Sequence, residues 1–494
     1  MKRFLYVVTL FLLALFCGCT TTDTAGQITL KSLRVEPRSV VLREGGTIAL
    51  KVISEPAAEG LEFSWSSTDM SVARVDAQGV VKAISVGSAQ IVCKYGEQIS
   101  ARCSVQVLEK GEDDSGSEPE PNPEPKSLTV AELDKPLSKS MIFSSRQLRY
   151  PGTVMQCFDF YDNSRSGYIY FSQCGGDTAT GRKWIVVASR VKRGIYGDTS
   201  HSGEAMYLRW FGHGTIMCVE HSEKDGQDYI WINSNGTLSG TNYTDQKTVS
   251  RILYQPEKTF EHCTGEHFFL DSYRDMAGKT WTKLLDFQAN IDFEARRLLA
   301  TCRTDKIRHL IIYDLDEVLA LKEQSVSLTR TWGGEGDTGT TNHTETTTIQ
   351  ARNLNTLTPL GSFTIKSSSN SNETNFTNTY SSAYQGHAIA GDYIYWYEGY
   401  AYEKKKGSGV YDNSQAYLEI FDYTGKRMVP RTRIAAASDF ENMKTLLDLN
   451  TNLYCEAEGV QVMGDKLYLG IVTHKAGMTS KNRVATILEY TIFK

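Results

Sequence analysis

The order of apolar and polar positions divides the chain into short alternating runs. Over residues 28–108 these runs are broken by Gly, Pro and Asp. Alternation with a period of two is typical of β-strands that bury one face, and the breaking residues mark turns. The pattern therefore predicts a small antiparallel β-sandwich, in which Trp65 fills the core and Gly79 occupies a hairpin turn.

The same segment resembles the group 2 bacterial Ig-like domain. The matching motifs are Trp65-Ser66-Ser67, Asp69, Val72-Ala73-Arg74-Val75-Asp76, Gly79-Val80-Val81-Lys82-Ala83 and Gly87. The resemblance implies that residues 28–108 act as a spacer or an adhesive module, and nothing in the segment suggests catalysis.

Residues 109–130 differ in composition from the segments on either side. The stretch 111–127 contains four of the eleven prolines of the chain together with several acidic residues. Proline and like charges keep a segment extended and unable to bury a core. The composition predicts a semi-rigid linker and hence a domain boundary.

From residue 131 to residue 494 the pattern is again strand-like, and one unit recurs about five times. Each copy has a polar residue, then a small one, then alternating apolar positions; the copies begin at Gln156, His213, Gln288, Gln385 and Glu458. A second apolar run follows each copy, starting at Tyr168, Tyr229, Leu298, Tyr393 and Leu467. A strand–turn–strand unit repeated at uneven spacing predicts a β-propeller of about five blades. The predicted fold class is thus all-β, an Ig-like sandwich followed by a propeller.

The polar residue of each copy predicts a ring of side chains at one mouth of the propeller channel. The candidate ligand-binding residues are the five of this ring and two neighbours: Gln156, His213, Glu220, Gln288, Gln385, His387 and Glu458. The ring could hydrogen-bond the hydroxyl groups of a sugar, or it could bond only inner backbone edges and water. Both interpretations stay open at this point.

The repeats resemble the propellers of teichoic-acid biosynthesis protein C and of staphylococcal phage receptor-binding proteins. The resemblance covers about residues 140–494, and its motifs are Phe211-Gly212-His213-Gly214 with Glu220, Gln385-Gly386-His387, and Glu458-Gly459-Val460 with Leu467-Tyr468-Leu469-Gly470. It implies about five blades and a link to cell-surface glycopolymers. It carries over no established catalytic set.

The N-terminus has the features of a secretory signal. Residues 1–18 begin with Lys2 and Arg3 and continue in an apolar run that is too short for a transmembrane helix. Phe16-Cys17-Gly18-Cys19 resembles the bacterial lipobox, which implies that Cys19 carries the lipid, palmitate included, and that residues 19–27 form a tether. The alternative is secretion with Cys19 unmodified. The predicted location is the cell envelope, at the outer membrane or cell surface in preference to the inner membrane.

Eight cysteines follow Cys19, and none has the spacing of a metal site. Cys93 and Cys103 flank a predicted turn around Gly96, so they could face each other in a disulfide; two buried thiols are the equal alternative. The net charge is −5 with both signs interspersed, and this predicts no nucleic-acid surface. No cofactor or metal ligand set is predicted.

These features support three functional hypotheses. The leading one is a membrane-anchored lipoprotein whose Ig-like stalk presents a propeller that binds a cell-surface or dietary polysaccharide, with no catalytic residue assigned. The second is a polysaccharide lyase acting on an acidic glycan with His213 as the candidate base, which also needs a second group and an Arg or metal to neutralise a uronate. The third is a protein-interaction platform. Glycoside hydrolysis needs a placed pair of carboxylates, and only Glu458 occupies the polar position of a repeat.

Overall fold

The computed structural model divides the chain into two compact units, Met1–Glu109 and Lys110–Lys494, which are described separately below. The structure describes residues 30, 32–37, 39–55, 60–96, 99–109, 127–130, 132–145, 148–150, 153–160, 168–177, 182–192, 204–222, 224–239, 242–244, 246–304, 307–333, 342–366, 384–403, 411–447, 453–475 and 483–493. The predicted signal segment with Cys19, and most of the predicted linker, lie outside these residues.

The first unit consists of short strands. In chain order they are β1 (Ser32–Glu36), β2 (Ser39–Arg43), β3 (Thr47–Ala49), β4 (Lys51–Glu55), β5 (Ser64–Ser67), β6 (Ala73–Val75), β7 (Val80–Ala83), β8 (Gly87–Tyr95) and β9 (Ile99–Leu108). One sheet has the order β2–β9–β8–β5, a second has the order β3–β7–β6, and β1 pairs with β4. The inward residues of these strands form one apolar core, as the alternation predicts.

Gly79 lies in the turn between β6 and β7, as predicted. Its N–H donates to the carbonyl oxygen of Asp76 at 3.1 Å, and its φ is +82°. A β-carbon there would approach Cζ2 of Trp65 to 2.6 Å, so only glycine fits under the indole. Trp65 itself is half-buried against the core rather than enclosed by it.

Cys93 and Cys103 do not face each other across the hairpin of β8 and β9. The register pairs Cys93 with Ala101 and Ile91 with Cys103. Cys103 thus lies two residues beyond the partner of Cys93. Both are fully buried thiols, and burial raises the pKa of each to about 12. The interpretation of a facing pair is therefore wrong, and the alternative of two buried thiols agrees with the structure.

The second unit is also built almost entirely of strands. Its first elements are α1 (Leu137–Ser140), β10 (Met141–Ser145), β11 (Met155–Asp159), β12 (Tyr168–Asp177), β13 (Arg182–Lys192), β14 (Glu204–Arg209), β15 (Met217–His221), β16 (Asp228–Ser234), β17 (Thr237–Ser239), β18 (Asn242–Thr244), β19 (Thr248–Leu253), β20 (Thr259–Phe260), β21 (Glu266–Phe269), β22 (Ser272–Arg274) and β23 (Thr280–Thr282). The remaining elements are β24 (Leu285–Asp292), β25 (Arg297–Thr304), β26 (Ile307–Asp314), α2 (Leu315–Ala320), β27 (Glu323–Gly333), β28 (Asn342–Asn353), a 3₁₀ turn (Leu354–Thr356), β29 (Gly361–Lys366), β30 (Tyr384–Ala390), β31 (Tyr393–Glu403), β32 (Tyr411–Asp422), β33 (Arg427–Arg433), α3 (Phe440–Leu446), β34 (Leu453–Met463), β35 (Lys466–Lys475) and β36 (Val484–Thr491).

Most of these strands belong to five sheets. Their orders are β11–β12–β13–β14–β20, β15–β16–β19–β21–β28–β27, β24–β25–β26–β29, β30–β31–β32–β33 and β34–β35–β36–β10. The fifth sheet takes its outer strand, β10, from the start of the unit and the other three from its end. None of the helices among the described residues is long and apolar enough to span a bilayer.

The first strands of the five sheets are neighbours. β11 contacts β15, β15 contacts β24, β24 contacts β30, β30 contacts β34, and β34 contacts β11. An apolar core lies between each pair of successive sheets, the fifth and the first included. The five polar positions of the sequence repeat fall in these first strands, or directly before β15 in the second copy. The five following apolar runs fall in the second strands β12, β16, β25, β31 and β35.

Candidate functional site

Four of the five first strands carry an irregularity next to the polar position of the repeat. The pairing register shifts between Met155 and Cys157, between Leu285 and Gln288, between Tyr384 and Gly386, and between Ala457 and Val460. A β-bulge bends its strand and changes the direction of a side chain. These bulges release Gln156, Gln385 and Glu458 from the pairing ladder, and Gln288 directly follows the bulge that begins at Leu285.

One cavity of about 350 Å³ brings all five polar positions together. Its lining residues come from four of the five sheets and from the segments before β11 and β15: Val154, Gln156, His213, Thr215, Asp286, Gln288, Arg308, Tyr384, Gln385, Glu456 and Glu458. Volumes of roughly 300–1000 Å³ are typical of small-molecule sites. The first strands thus converge their polar side chains on a space large enough for a small ligand.

Asp286 and Arg308 form an ion pair in the cavity wall. Arg308 Nη1 donates to Asp286 Oδ2 at 3.0 Å, and both side chains are largely buried. The other oxygen of Asp286 accepts from Nε2 of Gln246 at 2.9 Å and from Nε2 of Gln288 at 3.1 Å. This network fixes the amide of Gln288, so that its oxygen faces Tyr384.

Tyr384 connects the cavity wall to the buried residue His387. Its hydroxyl donates to Gln288 Oε1 at 3.0 Å and also contacts His387 Nδ1. The guanidinium of Arg308 lies over its ring at 4.4 Å, and the ring packs on Trp396 with 4.6 Å between centroids. Burial raises the pKa of Tyr384 far above its usual value, so its hydroxyl stays protonated at neutral pH.

His387 does not line the cavity. It is fully buried behind Tyr384, and burial, with a smaller contribution from Arg308, lowers its pKa to about 3. A neutral imidazole in this place holds the Tyr384 hydroxyl in position rather than contacting a ligand.

His213 lies between two glycines in the loop before β15 and is half-buried. Burial lowers the pKa of its imidazole, and the negative charge of Asp286 opposes this shift. The ring is therefore neutral at pH 7 and can accept a hydrogen bond or a proton there.

Glu458 is the most enclosed acid of the cavity. Its side chain is only 2% exposed, and its Oε2 has no hydrogen-bond partner among the described residues. Burial raises the pKa of Glu458 well above its usual range; the neighbouring Glu456 adds to this shift, and Arg483 opposes it. Burial therefore favours the protonated, neutral form of this carboxyl group over the ionised one.

Glu220 lies on β15 and does not line the cavity. It accepts from Nε1 of Trp231 at 2.6 Å and from Nε and Nη2 of Arg251 at 2.7 and 2.9 Å. Arg251 also pairs with Glu266, which binds Arg352. The sequence pattern alone cannot distinguish an acid that belongs to such a chain of ion pairs from an acid that binds a ligand.

The sequence does not identify six of the lining residues: Val154, Thr215, Asp286, Arg308, Tyr384 and Glu456. Asp286 and Glu456 each precede a polar repeat position by two residues, and Tyr384 directly precedes Gln385. These fixed distances from the polar repeat positions could have pointed to the three residues from the sequence. Arg308 is on β26, a third strand, and its guanidinium reaches the cavity only because the arm is long. Within the described residues no group of three or more His, Cys, Asp or Glu side chains is placed to hold a metal ion.

Comparison with known proteins identifies one domain of the chain. Residues 29–105 match the family model of the bacterial Ig-like domain (group 2). The chain is therefore an all-β protein with an N-terminal Ig-like domain. No curated protein sequence matches the chain.

Several solved structures have partial similarity to it. An exo-beta-1,3-galactanase from Clostridium thermocellum is 8% identical with a TM-score of 0.32, over 67% of this chain and 58% of that one. The polysaccharide lyase Uly1 is 8% identical with a TM-score of 0.26, over 68% and 90%. Domains 5-6 of the S-layer protein SbsC are 12% identical with a TM-score of 0.15, over 46% and 91%. This chain thus spans little more than half of the galactanase, and such TM-scores establish neither its fold nor its function.

Proposed function

We propose that the second unit is a five-bladed β-propeller and that its cavity binds a glycan. The propeller is supported by five sheets whose first strands are successive neighbours and by apolar cores between those sheets. It is also supported by β10, which joins the start of the unit to its last sheet, as expected when a ring of blades is closed.

The observation that carries the glycan proposal is the convergence of Gln156, His213, Gln288, Gln385 and Glu458 on one cavity. Each of these side chains both donates and accepts hydrogen bonds when His213 is neutral and Glu458 protonated. Sugar hydroxyls have the same dual character, so a wall of this kind can satisfy several of them at once. A protein partner would instead need an interface of about 800 Å² on this side, far more than a cavity of about 350 Å³ presents.

We further propose that the protein is a lipoprotein in the cell envelope, anchored through Cys19, with the Ig-like domain as a stalk. The lipobox-like sequence and the domain order support this arrangement. In it, lipid, stalk and propeller act as anchor, spacer and receptor for a cell-surface or dietary polysaccharide.

The test is calorimetric titration of the purified protein with a panel of cell-surface and dietary polysaccharides. At least one should bind, and Gln156→Ala should weaken that binding by roughly tenfold or more, because a lost hydrogen bond of this kind costs about 1–2 kcal/mol. Gln350→Ala is the control, since Gln350 lies exposed on β28, away from the cavity. The proposal fails if no glycan binds, or if binding is insensitive to Gln156.

A second candidate function is a polysaccharide lyase, favoured by one observation. His213 and Arg308 line the same cavity, and burial keeps the imidazole neutral, as a general base must be. Incubation with the same panel should then generate the ultraviolet absorbance of an unsaturated product. His213→Gln should abolish that absorbance if His213 is the base, whereas a receptor should keep its fold and its binding with this residue, which stands in three other copies of the repeat.

A further inference from the structure

The outer strand of the second sheet is longer than the outer strands of the other four. β27 has 11 residues, whereas β20, β29, β33 and β10 have two, six, seven and five. Residues 324–329 of β27 include no charged residue and no proline, whereas β33 includes Pro430 and three arginines. Short strands, charges and prolines are the usual features that keep the edge of a sheet from pairing with another chain. The outer edge of β27 lacks all three.

One hydrogen bond shows which backbone groups of β27 point away from β28. The N–H of Thr331 donates to Oγ1 of Thr237, outside the hairpin, at 2.6 Å. The register between β27 and β28 is regular over its whole length. In an antiparallel pair the backbone groups of alternate residues point to opposite edges of the strand. The N–H and C=O groups of Ser325, Ser327 and Thr329 therefore point away from β28, as those of Thr331 do.

These six backbone groups are accessible to another strand. Within the described part of the chain no strand lies beyond β27, and no other backbone group bonds to Ser325, Ser327 or Thr329 on that side. The side chains of these three residues are exposed. Those of Val326 and Leu328 are buried in an apolar cluster on the other face. The edge thus presents a row of donors and acceptors, with hydroxyl groups on one face and apolar side chains on the other.

The residues along this edge are arranged symmetrically about Ser327. Their order from Ser325 to Thr329 is hydroxyl, apolar, hydroxyl, apolar, hydroxyl. A second copy of β27 that pairs antiparallel about Ser327 places Ser325 opposite Thr329 and Val326 opposite Leu328. Ser327 then faces its own counterpart. Every outward-pointing residue meets an outward-pointing residue, so the three residues of each copy can exchange six hydrogen bonds in all.

The charges at the ends of the strand permit the same arrangement. Glu323 would face Thr331 of the second copy, and Arg330 would face Gln324, so no two like charges are opposite. The guanidinium of Arg330 is also held by Glu345 of its own hairpin at 2.6 Å. Hydroxyl pairs and apolar pairs across strands both stabilise a sheet. The uncharged centre of β27 offers no counter-charge to a charged partner strand, whereas a second copy matches it residue by residue.

We propose that two copies of the protein associate through β27, so that their second sheets form one continuous antiparallel sheet with a two-fold axis at Ser327. Each copy contributes the same residues, as expected for a closed two-fold interface. The inference does not depend on the proposed glycan binding, because none of the residues that line the cavity belongs to β27.

Cysteine substitution tests the register. In Ser327→Cys the two introduced thiols lie directly opposite each other, with about 5.5 Å between the Cα atoms, and this separation suits a disulfide. In Ser325→Cys each thiol faces Thr329, and the two thiols are roughly 13 Å apart along the strands. Mild oxidation of the full protein should convert most of Ser327→Cys into a covalent dimer and little of Ser325→Cys. Mass spectrometry of the linked peptides distinguishes this disulfide from linkages through other cysteines.

A charge substitution tests whether wild-type copies associate by the same edge. Sedimentation equilibrium at physiological ionic strength should show a concentration-dependent dimer of the full protein. Ser327→Lys places two ammonium groups opposite each other and should raise the dissociation constant tenfold or more.

Thr348→Lys is the matched control. Thr348 is exposed and pairs with Ser327 in the same hairpin. A charge there lies one strand further from the axis, roughly 14 Å from its counterpart, so the dimer should be unchanged. Both lysine variants should melt at the wild-type temperature, because both positions are exposed.

The outcomes distinguish this interface from the alternatives. A protein that stays monomeric overturns the inference. A dimer that Ser327→Lys leaves intact also overturns it, since its interface then lies elsewhere. Equal yields of covalent dimer from Ser325→Cys and Ser327→Cys would show random collision in place of the two-fold register, with the same consequence.

Discussion

The carboxylate of Asp159, on the first strand of the first sheet, accepts a hydrogen bond from the backbone N–H of Val219, on the first strand of the second sheet, at 2.7 Å. Its other oxygen accepts from the N–H of Phe160 at 2.8 Å. The bond joins the first sheet to the second, beside the apolar core that lies between them. An ionised carboxylate has two oxygen atoms that only accept hydrogen bonds, so each oxygen can bind one of the two backbone donors.

The same arrangement recurs between other sheets. Asn290 Oδ1 accepts from the N–H of Ile389 at 2.9 Å, and Asp292 Oδ2 accepts from the N–H of Gly391 at 2.7 Å. Gln461 Nε2 donates to the carbonyl oxygens of Phe158 and Met217, each at 3.2 Å. The polar residues of the first strands thus form two groups, one lining the cavity and one connecting successive sheets.

Asp159→Asn should change how stability depends on pH. Burial raises the pKa of Asp159 to about 7, although its two backbone donors oppose the shift. When the pKa of a carboxyl group is higher in the folded than in the unfolded protein, the group stabilises the fold most below the unfolded-state pKa, which is near 4. This contribution is lost as the pH rises to the folded-state pKa of about 7. At about 1.4 kcal/mol per pKa unit the loss is on the order of 4 kcal/mol. The variant lacks this loss, and its amide replaces one acceptor by a donor, costing about 1–3 kcal/mol.

Urea unfolding of the second unit between pH 4.5 and 7.5 measures both effects. The variant should be less stable than the wild type at the acidic end, and the difference should shrink or reverse towards pH 7.5. Asp465→Asn, at an exposed turn, should follow the wild-type profile. Parallel profiles for wild type and Asp159→Asn would contradict the prediction.

Gly459→Ala should destabilise the second unit much more than Gly464→Ala. Both glycines have positive φ, +82° and +59°, so each alanine costs about 1–2 kcal/mol in the backbone. Only at Gly459 would the new methyl group lie 3.2 Å from Cα of Cys157, whereas no atom lies within 4 Å of one at Gly464. We expect about 1–3 kcal/mol of additional loss from this close contact, and weaker ligand binding because Glu458 is the next residue along the strand. Thermal denaturation of the two variants compares them, and equal melting temperatures would show that the first strands are not tightly packed there.

The sequence was informative wherever a local pattern repeats. Alternation predicted the strands because each sheet buries its faces between neighbours, and the recurring polar position predicted which residues share a cavity. It could not predict that Arg308 reaches this cavity from a third strand, because that depends on how the sheet twists. It also could not separate Glu220 from Glu458: both are acids within apolar runs, and only the fold shows Arg251 beside the first.

Errors of one or two residues in a turn had the largest consequences. A hairpin symmetric about the predicted turn puts Cys93 opposite Cys103, whereas the observed register pairs Cys93 with Ala101 and Cys103 with Ile91. The register of a strand pair is set by the turn and by burial, and a small slip changes every partner.

The thiols of Cys93 and Cys103 should be unreactive in the folded protein and react after unfolding without a reductant. Burial raises both pKa values to about 12, so almost no thiolate forms at pH 8. Alkylation followed by mass spectrometry of the two peptides measures the modification. Absence of labelling in the unfolded, unreduced protein would show that a disulfide forms despite the register.

Cys19→Ala should abolish lipid labelling and release the protein from the membrane fraction. Lipidation of a lipoprotein forms a thioether through the sulfur of this residue, and alanine cannot replace it. Metabolic labelling with a fatty acid, followed by fractionation of wild type and variant, gives the answer. Cys17→Ala is the control and should retain the label; an unlabelled wild type would contradict the anchoring proposal.

Tyr384→Phe and Tyr395→Phe form a matched pair that separates the cavity from the core. Both tyrosines belong to the fourth sheet, Tyr384 half-buried and Tyr395 fully buried. The hydroxyl of Tyr384 contacts Gln288 and His387, whereas that of Tyr395 has no partner among the described residues. Removal of the first leaves two buried polar groups unsatisfied and should cost about 1–3 kcal/mol. Removal of the second should be neutral or stabilising, because an unpartnered buried hydroxyl is lost. Chemical unfolding of the two variants tests this difference in sign.

The same pair distinguishes the receptor from the lyase. In a receptor, Tyr384→Phe frees the amide of Gln288 and should weaken glycan affinity several-fold, with no product formed by either protein. In a lyase that uses the Tyr384 hydroxyl for proton transfer, the variant should still bind the glycan while product absorbance disappears. Tyr395→Phe should match the wild type in both assays, since its hydroxyl lies in the core between the fourth and fifth sheets. A loss of binding or activity in Tyr395→Phe equal to that in Tyr384→Phe would show that the effect comes from the core and not from the cavity.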